Sequence, residues 1–463
     1  MYLLTLILLL ISLTTMFILP LKLDINKYVR VIVLFMAFGE LFGIVGKVII
    51  IILGLDKVRE GLSYYMPTDE QLSYAMLCLA LFNIFFILGI NFICIQAKVM
   101  KRTLNHKQTN STSIITNTPS ENSIKYLLLI LSSPGLILLL INILQGNTLI
   151  SNSQLEATRI DVAGTGPIII LKEIPLSALL VWFSYKNSKV TIKWWLGLIG
   201  VLSMFLLTGN RSAMVMAVIV LMAIVIQIFG IKRIFKKLHL YIIPSVLSIY
   251  IGWLVIFVRG NLLKTNNSFI GAIQESFNYD LSYMITYLYR TSFNGFDGLL
   301  SVIANVPSQV GFQRGQFLYE SLTIMIPRAV WQSKWELQMT NVFTNHVWGW
   351  EQGGMFVTGP GVLYLDSGIV GIIFGGCLFG GVITLCLIFS RKFIKSEWLF
   401  RFVVASTAYF SSRFLFAGGS NDVGLWQRLL LESLLIYIFV YKITPFVLRR
   451  REHRKLINGH STN

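Results

Sequence analysis

The stretch GIVGIIFGGCLFGGVITLCLIF, residues 368–389, decides the fold class of this chain. It has no charged side chain over a length that matches the roughly 20 residues a helix needs to cross the hydrocarbon core of a bilayer. The basic residues just after it, Arg391, Lys392 and Lys395, are typical of the cytoplasmic flank of a membrane span. The stretch therefore predicts a transmembrane helix.

The rest of the chain has the same character. Of its 463 residues, 55% are hydrophobic and 13% are charged, whereas charged residues make up about 25% of a soluble domain. The mean hydropathy is +0.70. We therefore predict an all-α polytopic bundle of about eleven spans, forming one membrane domain over residues 1–463. The spans are expected near 2–19, 31–55, 72–95, 126–145, 168–185, 194–209, 213–230, 241–258, 361–389, 398–416 and 429–444.

The basic residues fall in alternate connections and explain most of the net charge of +18. By the positive-inside rule those connections are cytoplasmic, which puts the N-terminus outside and the C-terminus in the cytoplasm. The charge then reflects topology, and we expect membrane lipids as partners and no nucleic acid. Residues 97–125 read as a flexible cytoplasmic loop, because they are rich in Ser, Thr and Asn. Residues 259–360 form a large outer loop with short interfacial or re-entrant helices.

Arginines dominate the positive charge on the predicted outer side. A guanidinium binds phosphate or carboxylate through two hydrogen bonds, so this pattern favours an anionic ligand at the outer face. Alternatively, each arginine pairs with a nearby acid or a lipid headgroup. These residues are Arg159, Arg211, Arg259, Arg290, Arg314, Arg328, Arg413 and Arg428. Two neutralising pairs are also expected, Arg428 with Glu432 and Glu40 with Lys47.

The segment IPRAVWQSKWELQ, residues 326–338, combines basic and aromatic side chains. Trp331 and Trp335 suit stacking on sugar faces near Arg328 and Lys334, although an interfacial aromatic belt gives the same pattern. His346 follows as the one histidine on the predicted outer side, and it is a candidate general base or a structural residue. The competing carboxylates are Asp297, Glu351 and Asp280.

Glycines in the quoted stretch recur at Gly-xxx-Gly spacing, at Gly371/Gly375 and Gly376/Gly380. Close helix packing is the simplest reading, and a groove for an isoprenoid tail is the alternative. The four cysteines lack Cys-x-x-Cys spacing, and the chain has no Walker loop, HExxH, GxSxG or Asp-x-Asp motif. No cofactor or metal is therefore expected, and the donor of any transferred sugar should be lipid-linked.

Four segments together resemble the bacterial oligosaccharide repeat-unit polymerases, the Wzy-type or O-antigen polymerase family. They are TGNRSAMVMAV (208–218), YLYRTSFNGFDGL (287–299), MIPRAVWQSKW (325–335) and GPGVLYLDSGIVG (359–371). The resemblance implies an inverting, metal-independent glycosyltransferase of GT-C-like fold in the bacterial cytoplasmic (inner) membrane. It would polymerise undecaprenyl-pyrophosphate-linked oligosaccharides into O-antigen, capsule or exopolysaccharide, with a chain-length regulator and a flippase as further partners.

The resemblance also implies roles for particular residues. Arg211, Arg290 and Arg328 would bind the pyrophosphates and stabilise the leaving group. Asp297 or His346 would orient or deprotonate the acceptor hydroxyl. A ligase for the same lipid-linked glycan, a flippase or transporter, and a membrane acyltransferase are the competing functions.

Overall fold

The computed structural model describes residues 2–22, 27–54, 56–60, 63–105, 120–145, 166–207, 212–231, 271, 274–275, 294–326, 330–331, 339–349 and 356–443. Helices account for most of this part of the chain. The first elements are α1 (Tyr2–Lys22), α2 (Lys27–Glu40), the π-helix π1 (Leu41–Val45), α3 (Gly46–Ile52), the hairpin strands β1 (Val58–Glu60) and β2 (Ser63–Tyr65), and α4 (Asp69–Asn105). Next come α5 (Glu121–Leu144), α6 (Gly166–Tyr185), α7 (Ile192–Leu207), α8 (Ser212–Phe229) and α9 (Gly295–Asn305). The last are α10 (Gln316–Thr323), α11 (Met339–Trp348), α12 (Gly359–Phe393), α13 (Glu397–Phe416), α14 (Ser420–Ile438) and π2 (Phe439–Ile443).

The predicted helical membrane protein is confirmed at this level. Within the described ranges, five helical segments are long and apolar enough to cross a bilayer, including 27–52, 359–393 and 422–441. Every expected span except 241–258, which lies outside the described residues, falls on a helix. The count of about eleven spans stays a prediction.

The predicted loop at 97–125 is shorter than the sequence indicated. Helix α4 continues to Asn105 and α5 begins at Glu121, with Ser120 accepting a hydrogen bond from the Ser123 N–H as the N-cap. Lysine and arginine are good helix formers, so the basic stretch after Ala97 extends α4 although it is too polar to belong to the apolar span. Residues 106–119 lie outside the described part of the chain.

The glycines of α12 face two different neighbours. A Cβ at Gly380 would lie 2.2 Å from the Phe86 carbonyl oxygen of α4, and one at Gly376 would lie 3.0 Å from the Phe82 oxygen. Gly89 of α4 makes the reciprocal approach, since its Cβ would lie 2.1 Å from the Cys377 oxygen. The two backbones meet closely where neither has a side chain, which is the packing that small residues permit between membrane helices.

Helix α12 is bent sharply near its start. Ser367 and Gly368 have non-helical backbone angles, and Gly368 has a φ of 64°. A Cβ at Gly371 would lie 2.1 Å from the Leu363 carbonyl oxygen, and one at Gly375 would lie 2.4 Å from the Leu363 side chain. Residues 359–366 therefore form a half-helix folded back against the long part of α12, and Gly371 and Gly375 provide the room for it.

The two ends of the bundle are chemically distinct. At one end, called the basic end, Glu397 pairs with Lys27, Arg391 and Arg401 at 3.6, 3.0 and 3.6 Å. Lys186 also lies at a chain turn at this end, where it pairs with Glu121 at the start of α5. The starts of α2, α5 and α13 and the ends of α6 and α12 thus meet where the sequence places basic connections.

The segment that contains α9 and α10 packs on the opposite end of the bundle. A Cβ at Gly295 of α9 would lie 1.7 Å from the carbonyl oxygen of Phe416, the last residue of α13. Helix α10 contacts the first turns of α14, and just after α10 the Ile324 side chain lies 3.1 Å from where a Cβ at Gly424 would be. Residues 316–323 of the predicted loop 259–360 form one of the expected short helices, α10, whereas the apolar stretch 281–289 lies outside the described residues.

Candidate functional site

A fully buried lysine lies at the opposite end, among two carboxylates from distant parts of the chain. The Lys47 Nζ of α3 is 2.7 Å from Asp56 Oδ2 and 3.4 Å from Asp297 Oδ2, and none of the three side chains is exposed. Asp56 lies just before the β1–β2 hairpin, and Asp297 lies in the first turn of α9. This lysine cluster, defined as Lys47, Asp56 and Asp297, joins α3 to α9.

The predicted pairing of Glu40 with Lys47 is wrong. Two turns of helix separate residues seven apart by about 10 Å along the axis, and each side chain has a nearer partner on another element. The Glu40 Oε1 accepts a hydrogen bond from Asn83 Nδ2 of α4 at 2.8 Å. Lys47 instead binds the two aspartates.

Arg413, near the end of α13, belongs to a second charged group. Its Nε donates to Asp422 Oδ1 in the first turn of α14, and one terminal nitrogen lies 3.3 Å from the Tyr409 hydroxyl. The side chain of Arg413 is 22% exposed, whereas that of Asp422 is 4% exposed. The guanidinium is therefore fixed by protein partners, while part of the Arg413 side chain stays accessible.

A second arginine, Arg428, lies between α6 and α14, further along α14 than Asp422. The Arg428 terminal nitrogen is 3.7 Å from Glu173 Oε1, so the predicted pairing of Arg428 with Glu432 is wrong. Glu432 instead accepts a short hydrogen bond from the Ser177 hydroxyl. Arg428 and Glu432 both face α6, where their partners Glu173 and Ser177 are also four residues apart. Helices α6 and α14 therefore run in the same direction.

These two arginines and their partners form one charged network, defined as Arg413, Asp422, Arg428, Glu173 and Glu432. It occupies the interface of α6, α13 and α14, starting at the opposite end of the bundle. Ionised side chains within membrane helices are costly, and they usually face the bundle interior or a polar cavity at a functional position. The charged network is therefore the first candidate site in the described part of the chain.

Glu320 of α10 is a further buried acid at this end. Its carboxylate accepts hydrogen bonds from the Met339 N–H at 2.7 Å, the Ser420 hydroxyl at 2.9 Å and Gln316 Nε2 at 3.2 Å. Burial raises the pKa of the Glu320 carboxyl above its usual range, while the hydrogen bonds from Ser420, Met339 and Gln316 act in the opposite direction. Glu320 thus joins α10, α11 and α14 at one point.

Two of the four motif segments pack directly on one another. A Cβ at Gly298, in the segment 287–299, would lie 2.3 Å from the Phe356 carbonyl oxygen. One at Gly361, in the segment 359–371, would lie 3.4 Å from the Leu299 Cα. The Gly361 N–H donates to the Thr358 hydroxyl, which caps the half-helix. These glycines account for the tight fit between α9 and the start of α12.

The loop before α10 is held by the end of the same half-helix. Asp366 Oδ1 accepts from the Gly315 N–H at 2.9 Å and the Phe317 N–H at 3.2 Å, and the Arg314 N–H donates to the Asp366 carbonyl oxygen at 2.8 Å. Arg314 has a φ of 51°, and its side chain is exposed. Asp366 therefore sets the loop that presents Arg314.

The structure describes five of the residues predicted for the site. Asp297 is buried in the lysine cluster, and Arg413 lies in the charged network. His346 is exposed on α11, whose Trp348 donates to Ser301 of α9 at 3.1 Å. Trp331 is half-buried and meets the Tyr319 ring edge to face at 5.9 Å, and Arg314 is exposed. The remaining predicted residues, Arg211, Arg259, Arg290, Arg328, Lys334 and Trp335, lie outside the described ranges.

Sequence reasoning missed several acids at this end. Asp56, Glu173, Glu320 and Asp422 were not singled out, although each is a carboxylate in or beside an apolar stretch, which was the available signal. Across the described residues, no group of three or more His, Cys, Asp and Glu side chains could hold a metal ion. Anion binding by arginine and proton transfer by carboxyl groups or His346 are the chemistry that these residues can supply.

Comparison of the chain with protein-family models, with curated proteins and with solved structures gives no match. The likeness to the repeat-unit polymerases therefore depends on the four motif segments alone.

Proposed function

We propose that the chain polymerises lipid-pyrophosphate-linked oligosaccharide repeat units at the outer face of a bacterial cytoplasmic membrane. The packing of segment 287–299 against segment 359–371 carries this proposal, because two motifs far apart in sequence meet at one place. That place is the end of the bundle opposite the basic end, which the positive-inside rule assigns to the outer face.

The flanks of the other two motifs support the same location. Ser212, directly after Arg211, begins α8, whose far end reaches the basic end through Gln227, which donates to the Arg401 carbonyl oxygen at 3.1 Å. Ile326, two residues before Arg328, ends the turn after α10. We infer that Arg211, Arg290 and Arg328 bind the pyrophosphates together with Arg413.

The reaction needs positive charge and a base. The acceptor hydroxyl attacks the anomeric carbon of the donor glycan, the bond from that carbon to the pyrophosphate oxygen breaks, and the oxygen leaves with the electron pair. Arginines stabilise the departing pyrophosphate by charge and paired hydrogen bonds. In this proposal Arg413, whose side chain is partly accessible, contributes its positive charge, while Asp422 fixes its orientation.

Burial favours His346 over Asp297 as the group that takes the hydroxyl proton. A base has to come within hydrogen-bond reach of the substrate. The Asp297 carboxylate is fully buried beside Lys47, whereas the His346 side chain is exposed. Asp297 is better suited to holding α9 in place, which makes it a positioning residue in this proposal.

Gene deletion with complementation tests the function. We expect the deletion strain to lose its polymer ladder while single repeat units still reach the surface, and wild type but not Arg211→Ala to restore the ladder. The matched control is Arg391→Ala at the basic end, which should restore it fully. A ladder retained on the carrier lipid would identify a ligase, and repeat units stranded on the cytoplasmic leaflet would identify a flippase.

A further inference from the structure

Another buried acid, Glu40, lies between bundle helices and is not part of the charged network. Glu40, the last residue of α2, has no exposed surface, and neither does Asn83 of α4. Asn83 Nδ2 donates to Glu40 Oε1 at 2.8 Å and to the Ser12 hydroxyl oxygen of α1 at 3.2 Å. Glu40, Asn83 and Ser12, called the acid–amide site, thus join three helices.

Glu40 has no cationic partner among the described residues. Four cationic side chains on the elements around it have acidic partners of their own. Lys47 binds Asp56 and Asp297, Arg413 binds Asp422, and Lys27 and Arg401 bind Glu397. Helix α8, which also packs on α2, has no charged residue in its range. On α13, Ser412 approaches Gly39, where a Cβ would lie 3.1 Å from the Ser412 Cβ.

Two buried oxygens at the site have no hydrogen-bond partner in the described structure, Glu40 Oε2 and Asn83 Oδ1. An ionised carboxylate in this position would be a buried charge with one donor, which is strongly unfavourable. A proton on Oε2 removes the charge and turns that oxygen into a donor. The Asn83 amide carries the acceptor that such a donor needs.

We propose that the acid–amide site binds a proton, so that Glu40 is a neutral carboxylic acid in the resting bundle. The helix changes to the π-helix π1 at Leu41, directly after Glu40, and π-turns inside α-helices are frequent at functional positions. Release of the proton would leave a carboxylate between α1, α2 and α4. The protonation state of Glu40 therefore controls how these helices pack.

A hydrophobic carbodiimide tests this proposal on the full-length purified protein, because it reacts with protonated carboxyl groups in apolar surroundings. With dicyclohexylcarbodiimide and peptide mass spectrometry, we expect labelling of Glu40 at neutral pH. The labelling should fall about tenfold per pH unit once Glu40 ionises, and should be equal in sodium, potassium and choline salts. Glu40→Gln should remove it, and Glu397→Gln at the basic end should leave it unchanged.

Infrared spectroscopy gives a second readout that does not need the reagent to reach the site. The spectrum of wild type minus Glu40→Gln should contain the carbonyl stretch of a protonated carboxylic acid. Absence of that band, together with no labelling of Glu40 at any pH, would overturn the proposal. Protection of Glu40 by sodium but not choline would also overturn it, because the site would then bind a metal cation. These results do not depend on the glycan reaction.

Discussion

Lys47 and Asp297 form an ion pair with an Nζ–Oδ2 distance of 3.4 Å, and neither side chain has any solvent exposure. The pair joins α3, the end of the apolar helical segment 27–52, to α9. Because Asp56 binds the same ammonium group, removing the lysine leaves two buried carboxylates without their cation.

We expect Lys47→Met to lower the free energy of unfolding by about 3–5 kcal/mol, the usual cost of leaving a buried charge uncompensated. Denaturant titration of the detergent-purified protein measures it. Lys27→Met is the control, since Lys27 is 67% exposed at the other end of the same span. Replacing both aspartates with asparagine in the Lys47→Met background should recover part of the loss. A Lys47→Met protein as stable as wild type would contradict the buried pairing.

Hydropathy predicted the helices because an apolar stretch of about 20 residues can satisfy its backbone hydrogen bonds within a bilayer by forming a helix. The turn between Ser367 and Gly368 was not predictable in this way. Residues 359–365 are apolar and could have continued a straight helix, so only packing against Gly371 and Gly375 reveals the fold-back. The Gly-xxx-Gly pattern indicated a close approach without identifying the partner.

The partners of charged residues were predicted least well. Local spacing paired Glu40 with Lys47 and Arg428 with Glu432, yet all four side chains bond to other elements. Neighbours three or four apart on a helix contribute only about 0.2–0.5 kcal/mol. In the interior of a bundle, the cost of desolvating a charge means that each charged side chain bonds to a well-placed partner on another element. Which partner that is depends on how the helices pack, and a single sequence does not show the packing.

The close approach of α4 and α12 predicts a strong effect of one methyl group. Gly89→Ala places a Cβ 2.1 Å from the Cys377 carbonyl oxygen, and a backbone atom cannot rotate away. We expect destabilisation of at least about 1–3 kcal/mol, measured by thermal unfolding. Gly200→Ala on α7 is the matched control, because nothing lies within 4 Å of its Cβ position. It should be neutral or stabilising, and equal behaviour of the two variants would contradict the packing.

The raised pKa of Glu320 predicts a specific pH dependence. A carboxyl whose pKa is higher in the folded protein binds its proton more tightly there, so stability falls as the pH rises from the model-compound value of 4.5 through the raised folded value. Glu320→Gln should flatten this part of the pH–stability curve, because glutamine does not ionise. Its amide oxygen can still accept from the Met339 N–H. The control is Glu70→Gln at the exposed start of α4, which should leave the slope of stability against pH unchanged. An unchanged slope in Glu320→Gln would mean that Glu320 is solvated and would contradict the prediction.

Exchange of Arg413 and Asp422 separates a structural role from substrate binding. Arg413→Asp or Asp422→Arg alone places two like charges in contact and should destabilise the protein. The double exchange restores opposite charges at the α13–α14 contact, so we expect its melting temperature to return most of the way to that of wild type.

Polymer synthesis should nevertheless stay low in the double variant, because the guanidinium would then extend from α14 instead of α13 and would no longer face the pyrophosphate in the proposed geometry. The polymer ladder on a gel measures this, with protein levels matched. Arg413→Lys adds a graded test: it keeps the charge but loses the planar group that contacts Asp422 and Tyr409 together, so an intermediate ladder is expected. A double variant with a full ladder would assign Arg413 a structural role only.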